Sequence, residues 1–262
     1  MYKHIYLFTF DQNDALEEVR DILQSLNVEV VEKLTDADLI MVLGGDGTIL
    51  HQAKEAHRHE LPIVGINLGC RGFLADVETI SRDILQDVLN GEVIEELKPV
   101  IKLSFDDQVH YALNEVMLVK AKPTRMISYE AIVDGQTLYK QTADGVIVCT
   151  TTGSTAYALS AGGPILHPNS DTLGLIPVAS NRITSLPMIL HGNAKIELKV
   201  DEWKDSEAMV AVDAQEVYRG NSQHLMIEVD KKPLKLLHTK SYDYYQTLKR
   251  KVNWESSPKD AC

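Results

Sequence analysis

Leu16, Val19, Ile22, Leu23 and Leu26 recur at successive spacings of three, three, one and three, which predicts one apolar stripe on a helix from about Asp14 to Leu26. Ile80, Ile84, Leu85, Val88 and Leu89 make a second stripe, which stops at the C-cap signal Asn90-Gly91. Short apolar runs stand between and around these stripes: Ile5 to Phe10, Val28 to Val31, Leu39 to Leu43 and Pro62 to Ile66. The Leu39 to Leu43 run is apolar throughout, as in a strand covered on both faces of a parallel sheet. Another helix is predicted from Thr48 to about Arg58. Alternating strands and helices imply a doubly wound α/β sheet with ligands at the carboxyl ends of its strands.

The pattern changes near residue 93. From there, β-rich segments separated by Asp, Gly, Asn and Pro follow one another: Ile101 to Phe105, Tyr111 to Val119, Met126 to Val133, Val146 to Cys149, Met188 to Leu190, Lys195 to Val200, Met209 to Val212 and Leu225 to Val229. Asp134-Gly135 is a hairpin signal. The expected architecture is an N-terminal α/β domain, residues 1–92 plus about 236–262, and a mostly antiparallel β-sandwich domain over 93–235 with a helix after Gly153. Tyr242 to Val252 is expected to be a helix returning to the first domain. No internal repeat or low-complexity linker separates the two, so they are expected to share a cleft.

Composition narrows the class. With 262 residues, 44% hydrophobic and 24% charged, the chain has an ordinary globular balance. A net charge of −12 argues against general nucleic-acid affinity. No apolar run nears the roughly 18 residues of a membrane span. The N-terminus turns polar too soon for a secretory signal. Cys70, Cys149 and Cys262 have no metal-like spacing, which points to reduced thiols in a cytoplasm and to no metal held by protein ligands. His57, His59 and Glu60 read as an exposed polar helix end rather than a metal site.

The chemistry concentrates in three places. After the Leu39 to Leu43 run comes Gly44-Gly45-Asp46-Gly47-Thr48, whose glycines are expected to take positive φ and approach a ligand closely. Such a turn ahead of a helix can aim N–H groups at a phosphate. A bare carboxylate would repel that phosphate, so Asp46 must meet a hydroxyl, a metal ion or a backbone N–H. The plain alternative makes Asp46 the helix N-cap. The second place runs from Asp144 through Thr150-Thr151-Thr152-Gly153-Ser154-Thr155-Ala156-Tyr157-Ala158-Leu159-Ser160 to Gly163-Pro164, with hydroxyls suited to a sugar or base. Its alternative is a hydroxyl-rich turn capping a helix. The third is Asn114-Glu115, polar within an apolar segment and expensive there unless paired or liganding. Its alternative is a solvent-facing pair on an edge strand.

Together these elements resemble the signature set of NAD kinases. Gly65-Ile66-Asn67-Leu68-Gly69, Arg71-Gly72-Phe73-Leu74, Gly163-Pro164-Ile165-Leu166, Val212-Asp213-Ala214-Gln215 and Lys240-Ser241-Tyr242 also look like family positions, so the resemblance spans most of 39–250. It implies transfer of the ATP γ-phosphate to the 2′-hydroxyl of the adenosine ribose of NAD, giving NADP. The glycine turn, Gly44, Gly45, Gly47 and Thr48, would hold phosphate, and Asp46 would be the general base. Asn114 and Glu115 would hold the nicotinamide-side ribose. Asp144 and Thr155, Ala156, Tyr157, Ala158, Leu159 and Ser160 would bind base and amide edges, with Tyr157 stacked on a ring. Phe73 would line the adenine pocket, and Gly47, His51, Arg125, Thr142, Ala179 and Gln215 would be further substrate-binding positions. The resemblance also implies Mg²⁺ with ATP, a homo-oligomer (dimer or tetramer) and feedback by NADPH.

Three departures stand out. Thr151 replaces the usual proline before the GST motif, which would loosen that turn. The Val178 to Pro187 segment lacks the Pro-His and Arg-Pro of many members, and the short stretch before Leu39 implies no longer N-terminal extension. A lipid or sugar kinase of the wider superfamily and a nucleotide-binding regulator without catalysis remain alternatives. A dehydrogenase fits poorly, because no GxGxxG opens the first βα unit.

Overall fold

The structure is a computed structural model describing residues 1–10, 14–67, 72–182, 184–200, 207–220, 223–252 and 254. Leu68 to Arg71 (Cys70 included), Ile183 and Cys262 lie outside the described residues. The chain divides into two compact units, residues 1–97 with 234–262 and residues 98–233.

The first unit opens with β1 (His4–Phe8), α1 (Asp14–Ser25), β2 (Glu29–Val31), β3 (Leu39–Leu43), α2 (Asp46–His59), β4 (Ile63–Ile66), β5 (Ala75–Val77), α3 (Arg82–Asn90) and β6 (Ile94–Lys98). In the second unit follow β7 (Ile101–Phe105), β8 (Gln108–Ala112), β9 (Glu115–Lys120), β10 (Ile127–Val133), β11 (Gln136–Ala143), β12 (Gly145–Cys149), α4 (Tyr157–Ser160) and β13 (Thr172–Val178). Next come β14 (Met188–His191), β15 (Ile196–Val200), β16 (Ala208–Val212), β17 (Gln215–Gly220) and β18 (Gln223–Val229). The chain then re-enters the first unit with β19 (Leu234–His238) and α5 (Tyr244–Lys251).

The first sheet has the order β2-β1-β3-β4-β19-β6, with β5 on β4. The register-defined pairs β1/β2, β1/β3, β3/β4, β4/β5 and β4/β19 are all parallel. Leu39, Met41 and Leu43 of β3 pack with Leu16, Val19 and Leu23 of α1 and Leu85, Val88 and Leu89 of α3. Ile40 and Val42 point the other way by strand alternation and are equally buried, on the sheet that α2 covers. That two-sided burial is why the run is apolar throughout. α3 carries both caps: Ser81 accepts from the Ile84 N–H, and Gly91 ends the helix at φ 79°.

The second unit is a sandwich of two six-stranded sheets, β11-β10-β15-β18-β7-β8 and β14-β13-β12-β9-β16-β17. One apolar cluster spans both, with Leu103, Tyr129, Leu198 and Ile227 from the first sheet and Leu118, Val146, Leu175 and Val210 from the second. The outer face of β12 is covered as well, because Ile147 and Cys149 pack with Ala158 of α4. The Asp134-Gly135 hairpin forms with both residues at positive φ, 50° and 78°.

Several expectations are corrected. The predicted Tyr111 to Val119 strand is two strands, β8 and β9, broken at Leu113-Asn114. The helix after Gly153 is a 3₁₀ turn, Gly153–Thr155, followed by the single turn of α4. The last helix begins at Tyr244, capped by Asp243, whose side chain accepts from the Gln246 N–H, and Tyr242 lies before it. His57 is buried, while His59 and Glu60 are exposed.

Candidate active site

In the first unit the glycine turn leaves β3 and runs directly into α2. The helix begins at Asp46, two residues earlier than predicted, and its N-cap is Gly45. Asp46 is therefore no cap. Its Oδ2 accepts from the Phe73 N–H at 2.9 Å, and its Oδ1 accepts from Leu74 at 3.0 Å and Ala75 at 3.1 Å. An ionised carboxylate has about four lone-pair positions, so this arrangement fixes the group and leaves one open on Oδ2.

Gly72 makes the clamp feasible, since a Cβ there would fall 1.8 Å from Asp46 Oδ1. Of the turn's glycines only Gly44 has a positive φ, 152°, and a Cβ on it would strike Thr48 Oγ1 at 2.4 Å. Gly45 and Gly47 correct the expectation of positive φ. They border open space instead, and a Cβ added to either would meet nothing within 4 Å. Phe73 is partly exposed, its ring centroid 6.3 Å from that of Tyr244. His51 lies on α2 against Phe8 and Phe10.

The second unit brings two of the sequence motifs into contact. A Cβ on Gly153 would meet the Asn114 carbonyl oxygen at 2.2 Å, so the GST turn packs on the backbone of Asn114. The Thr150 N–H donates to the Asn114 carbonyl at 2.9 Å, and the Thr150 hydroxyl donates to the Leu113 carbonyl at 2.6 Å. Thr151, in place of proline, is buried, and its carbonyl accepts from the Ser154 hydroxyl at 2.7 Å. The turn is thus held rather than loosened.

A residue whose role the sequence did not show organises this contact. Asp213 sits in the β16–β17 hairpin turn at φ 46°, with Ala214 at 63°. Its Oδ2 accepts from the Leu113 N–H at 2.8 Å, and its Oδ1 accepts from Asn114 at 2.8 Å and Glu115 at 3.1 Å. These bonds draw Leu113-Asn114 out of the sheet and explain the break between β8 and β9. In the sequence Asp213 stood only within Val212-Asp213-Ala214-Gln215, a stretch that resembles family positions.

Glu115 then starts β9, a central strand between β12 and β16, which overturns the edge-strand alternative. It is 4% exposed, and its Oε2 is buried with no hydrogen-bond partner among the described residues. Burial, and then the nearby Asp213 carboxylate, push the Glu115 carboxyl up to about 7. A carboxyl in this state can donate to or accept from a ligand hydroxyl.

The remaining predicted positions are spread over the same unit. Asp144 pairs with Lys120, Nζ to Oδ1 2.8 Å, a cation the sequence reading missed. The Thr142 carbonyl accepts from the Asn181 N–H at 3.2 Å, and neighbouring Ala179 stands at φ 44°. Tyr157 is 47% exposed, with its ring free to stack, and Ala158 is buried beneath it. Thr155 bonds back to the Thr152 carbonyl, Leu159 and Ser160 complete α4, and Arg125 and Gln215 are exposed. Cys149 is buried, and burial pushes its thiol up to about 12, so it is no nucleophile.

Comparison with known proteins points to one family. Residues 9–93 match the family model described as ATP-NAD kinase N-terminal domain, and residues 113–239 match ATP-NAD kinase C-terminal domain. An NAD kinase of Thiobacillus denitrificans is 39% identical over 228 residues, covering 84% of this chain and 78% of the relative. An NAD kinase from Archaeoglobus fulgidus, solved in complex with ATP, superposes with a TM-score of 0.79 at 31% identity, covering 97% of this chain and 99% of the other. Yeast NADH kinase complexed with NADH shares the fold, with a TM-score of 0.84 at 21% identity over 97% of this chain and 89% of that one.

Proposed function

The chain belongs to the ATP-NAD kinase family, and we propose on that premise that Asp46 is the general base of the transfer its members catalyse. The reaction phosphorylates the 2′-hydroxyl of the adenosine ribose of NAD with ATP and yields NADP and ADP. The observation that carries the Asp46 assignment is the clamp: three N–H donors from Phe73, Leu74 and Ala75 fix the carboxylate, and one lone-pair position is left for a hydroxyl proton. Phosphoryl transfer has a loose transition state, so fixing the acceptor oxygen matters more than base strength.

Gly44, Gly45, Gly47 and Thr48 hold phosphate, with the first N–H groups of α2 as donors. Asn114 and Glu115 hold the nicotinamide-side ribose, and the unpartnered Oε2 of Glu115 supports that role. Asp144 and Thr155 to Ser160 bind base and amide edges, Tyr157 stacks on a ring, and Phe73 lines the adenine pocket. Arg125, Thr142, Ala179 and Gln215 are secondary contacts. Mg²⁺ would arrive on ATP, with phosphate and water as its ligands rather than a dedicated protein cage. Bound there, the ion neutralises charge on the transferring phosphoryl group. A homo-oligomer in the cytoplasm, with feedback by NADPH, completes the reading. No helix among the described residues is long and apolar enough to cross a membrane.

The test is NADP formation from NAD, ATP and Mg²⁺ by wild type and Asp46→Asn. The substitution should lower kcat by roughly a hundredfold or more. An asparagine amide would also face the Phe73 N–H, so the melting midpoint must be read alongside to separate chemistry from a damaged clamp. A silent wild type, or an equally active variant of unchanged stability, would end this reading.

A further inference from the structure

The first sheet reverses its winding between β1 and β3, because the chain steps outward from β1 to β2 on one side and from β3 to β4 on the other. Open α/β sheets bind ligands at such a reversal, beyond the carboxyl ends of the strands. Two segments emerge there side by side, since Phe8 pairs with Val42: Thr9-Phe10 after β1, and the glycine turn after β3. Three aromatic rings gather at this point. Phe8 and His51 lie nearly parallel, centroids 5.5 Å apart at 20°. Phe10 stands across both, 5.2 Å from Phe8 at 78° and 5.0 Å from His51 at 61°.

None of the three belongs to the cluster buried beneath α1 and α3, and Phe10 is 62% exposed. Their position suits a ligand better than a core. His51 is five residues beyond Asp46 on α2, about 7.5 Å along the helix axis. Gly45 and Gly47, at the start of that helix, border open space. A phosphate chain seated on the turn would bring an attached base toward Phe10. The proposed roles of Phe73 and Tyr157 account for the rings of NAD, which leaves the base of the phosphoryl donor without a partner.

We infer that Phe8, Phe10 and His51 form the stacking platform for the base of the donor nucleoside triphosphate. This rests on the kinase reading and adds a donor subsite to it. Stacking accepts any base, because every base has a π-face, so the platform senses the presence of a base more than its identity.

The test is calorimetric titration of the full chain with Mg²⁺-ATP and with Mg²⁺-ribose 5-triphosphate, which lacks a base. Wild type should prefer ATP about tenfold or more. Phe10→Ala should lose that preference and keep its affinity for ribose 5-triphosphate, while Phe10→Trp should retain it. A wild type without the preference, a Phe10→Ala variant that keeps it, or one that binds both triphosphates equally more weakly would overturn the platform. NADP formation by the same wild-type sample judges the kinase reading separately: preference without NADP keeps the platform and sinks the kinase.

Discussion

Asp46 and Asp213 each gather the N–H groups of three consecutive residues onto one carboxylate, Phe73 to Ala75 in one case and Leu113 to Glu115 in the other. The first clamp fixes the proposed base, and the second fixes the backbone that presents Asn114 and Glu115. Gly72→Ala would place a Cβ 1.8 Å from Asp46 Oδ1. Activity should then fall by about a hundredfold, the usual scale for a misplaced reacting group, in an assay of NADP formation. Glu115 carries a pH signature. Its carboxyl is raised from 4.5 to about 7, so between those values the folded chain binds more protons than the unfolded one. Stability should decline as pH rises through that window and level off above it. Urea midpoints measured across pH 4.5 to 8 should show this slope for wild type and a flatter one for Glu115→Gln.

At the scale of elements, the hairpin turn between β16 and β17 supports the break between β8 and β9. Asp213→Ala strands three N–H groups that now bond to a charged acceptor, a loss of roughly 2 to 4 kcal/mol. Hydrogen exchange at Leu113, Asn114 and Glu115 should accelerate ahead of the sandwich strands, and equal protection in the variant would contradict the assignment. This link was not legible in the sequence, because residues about a hundred positions apart leave no periodic trace. What was legible follows from burial. Leu39–Leu43 and Val146 to Cys149 are covered on both faces and read as continuous apolar runs. Ile101–Phe105 alternates between buried and half-buried positions and was equally plain. β11 was signalled only by the Asp134-Gly135 hairpin turn, because its Gln136 to Lys140 half is mostly exposed and polar. β13 was hidden by Gly174 and Pro177, and that proline is tolerated because it lies beyond the Thr172 to Leu175 stretch paired with β14. Of the site, the motifs could be read and the clamps could not.

At the scale of the whole molecule, a buried charge cluster in the first unit ties the late strand β19 to β5 and β6. His238, on β19, bonds through Nδ1 to Asp76 at 3.1 Å and through Nε2 to Glu96 at 3.0 Å, with Tyr242 stacked 3.8 Å from its ring. Burial opposes the imidazolium, but the two carboxylates outweigh it and raise the group above its ordinary 6.5. The resulting stabilisation is complete below that value and is lost as pH climbs through the raised one. His238→Gln should abolish this part of the pH dependence in thermal melts above pH 6.5. The same strand has a consequence for synthesis. β4 emerges from the ribosome early, but its neighbour β19 is translated only after the entire second unit, on the order of ten to thirty seconds later at ordinary elongation rates. During that interval the nascent first unit already carries Asp46, but the Ile63-Val64 half of the β4 edge, beyond the half that β5 pairs with, stays unpaired, the kind of surface that seeds aggregation. Messages truncated ahead of Leu234 should therefore yield insoluble chains, which makes the synthesis of β19 a quality checkpoint for the enzyme.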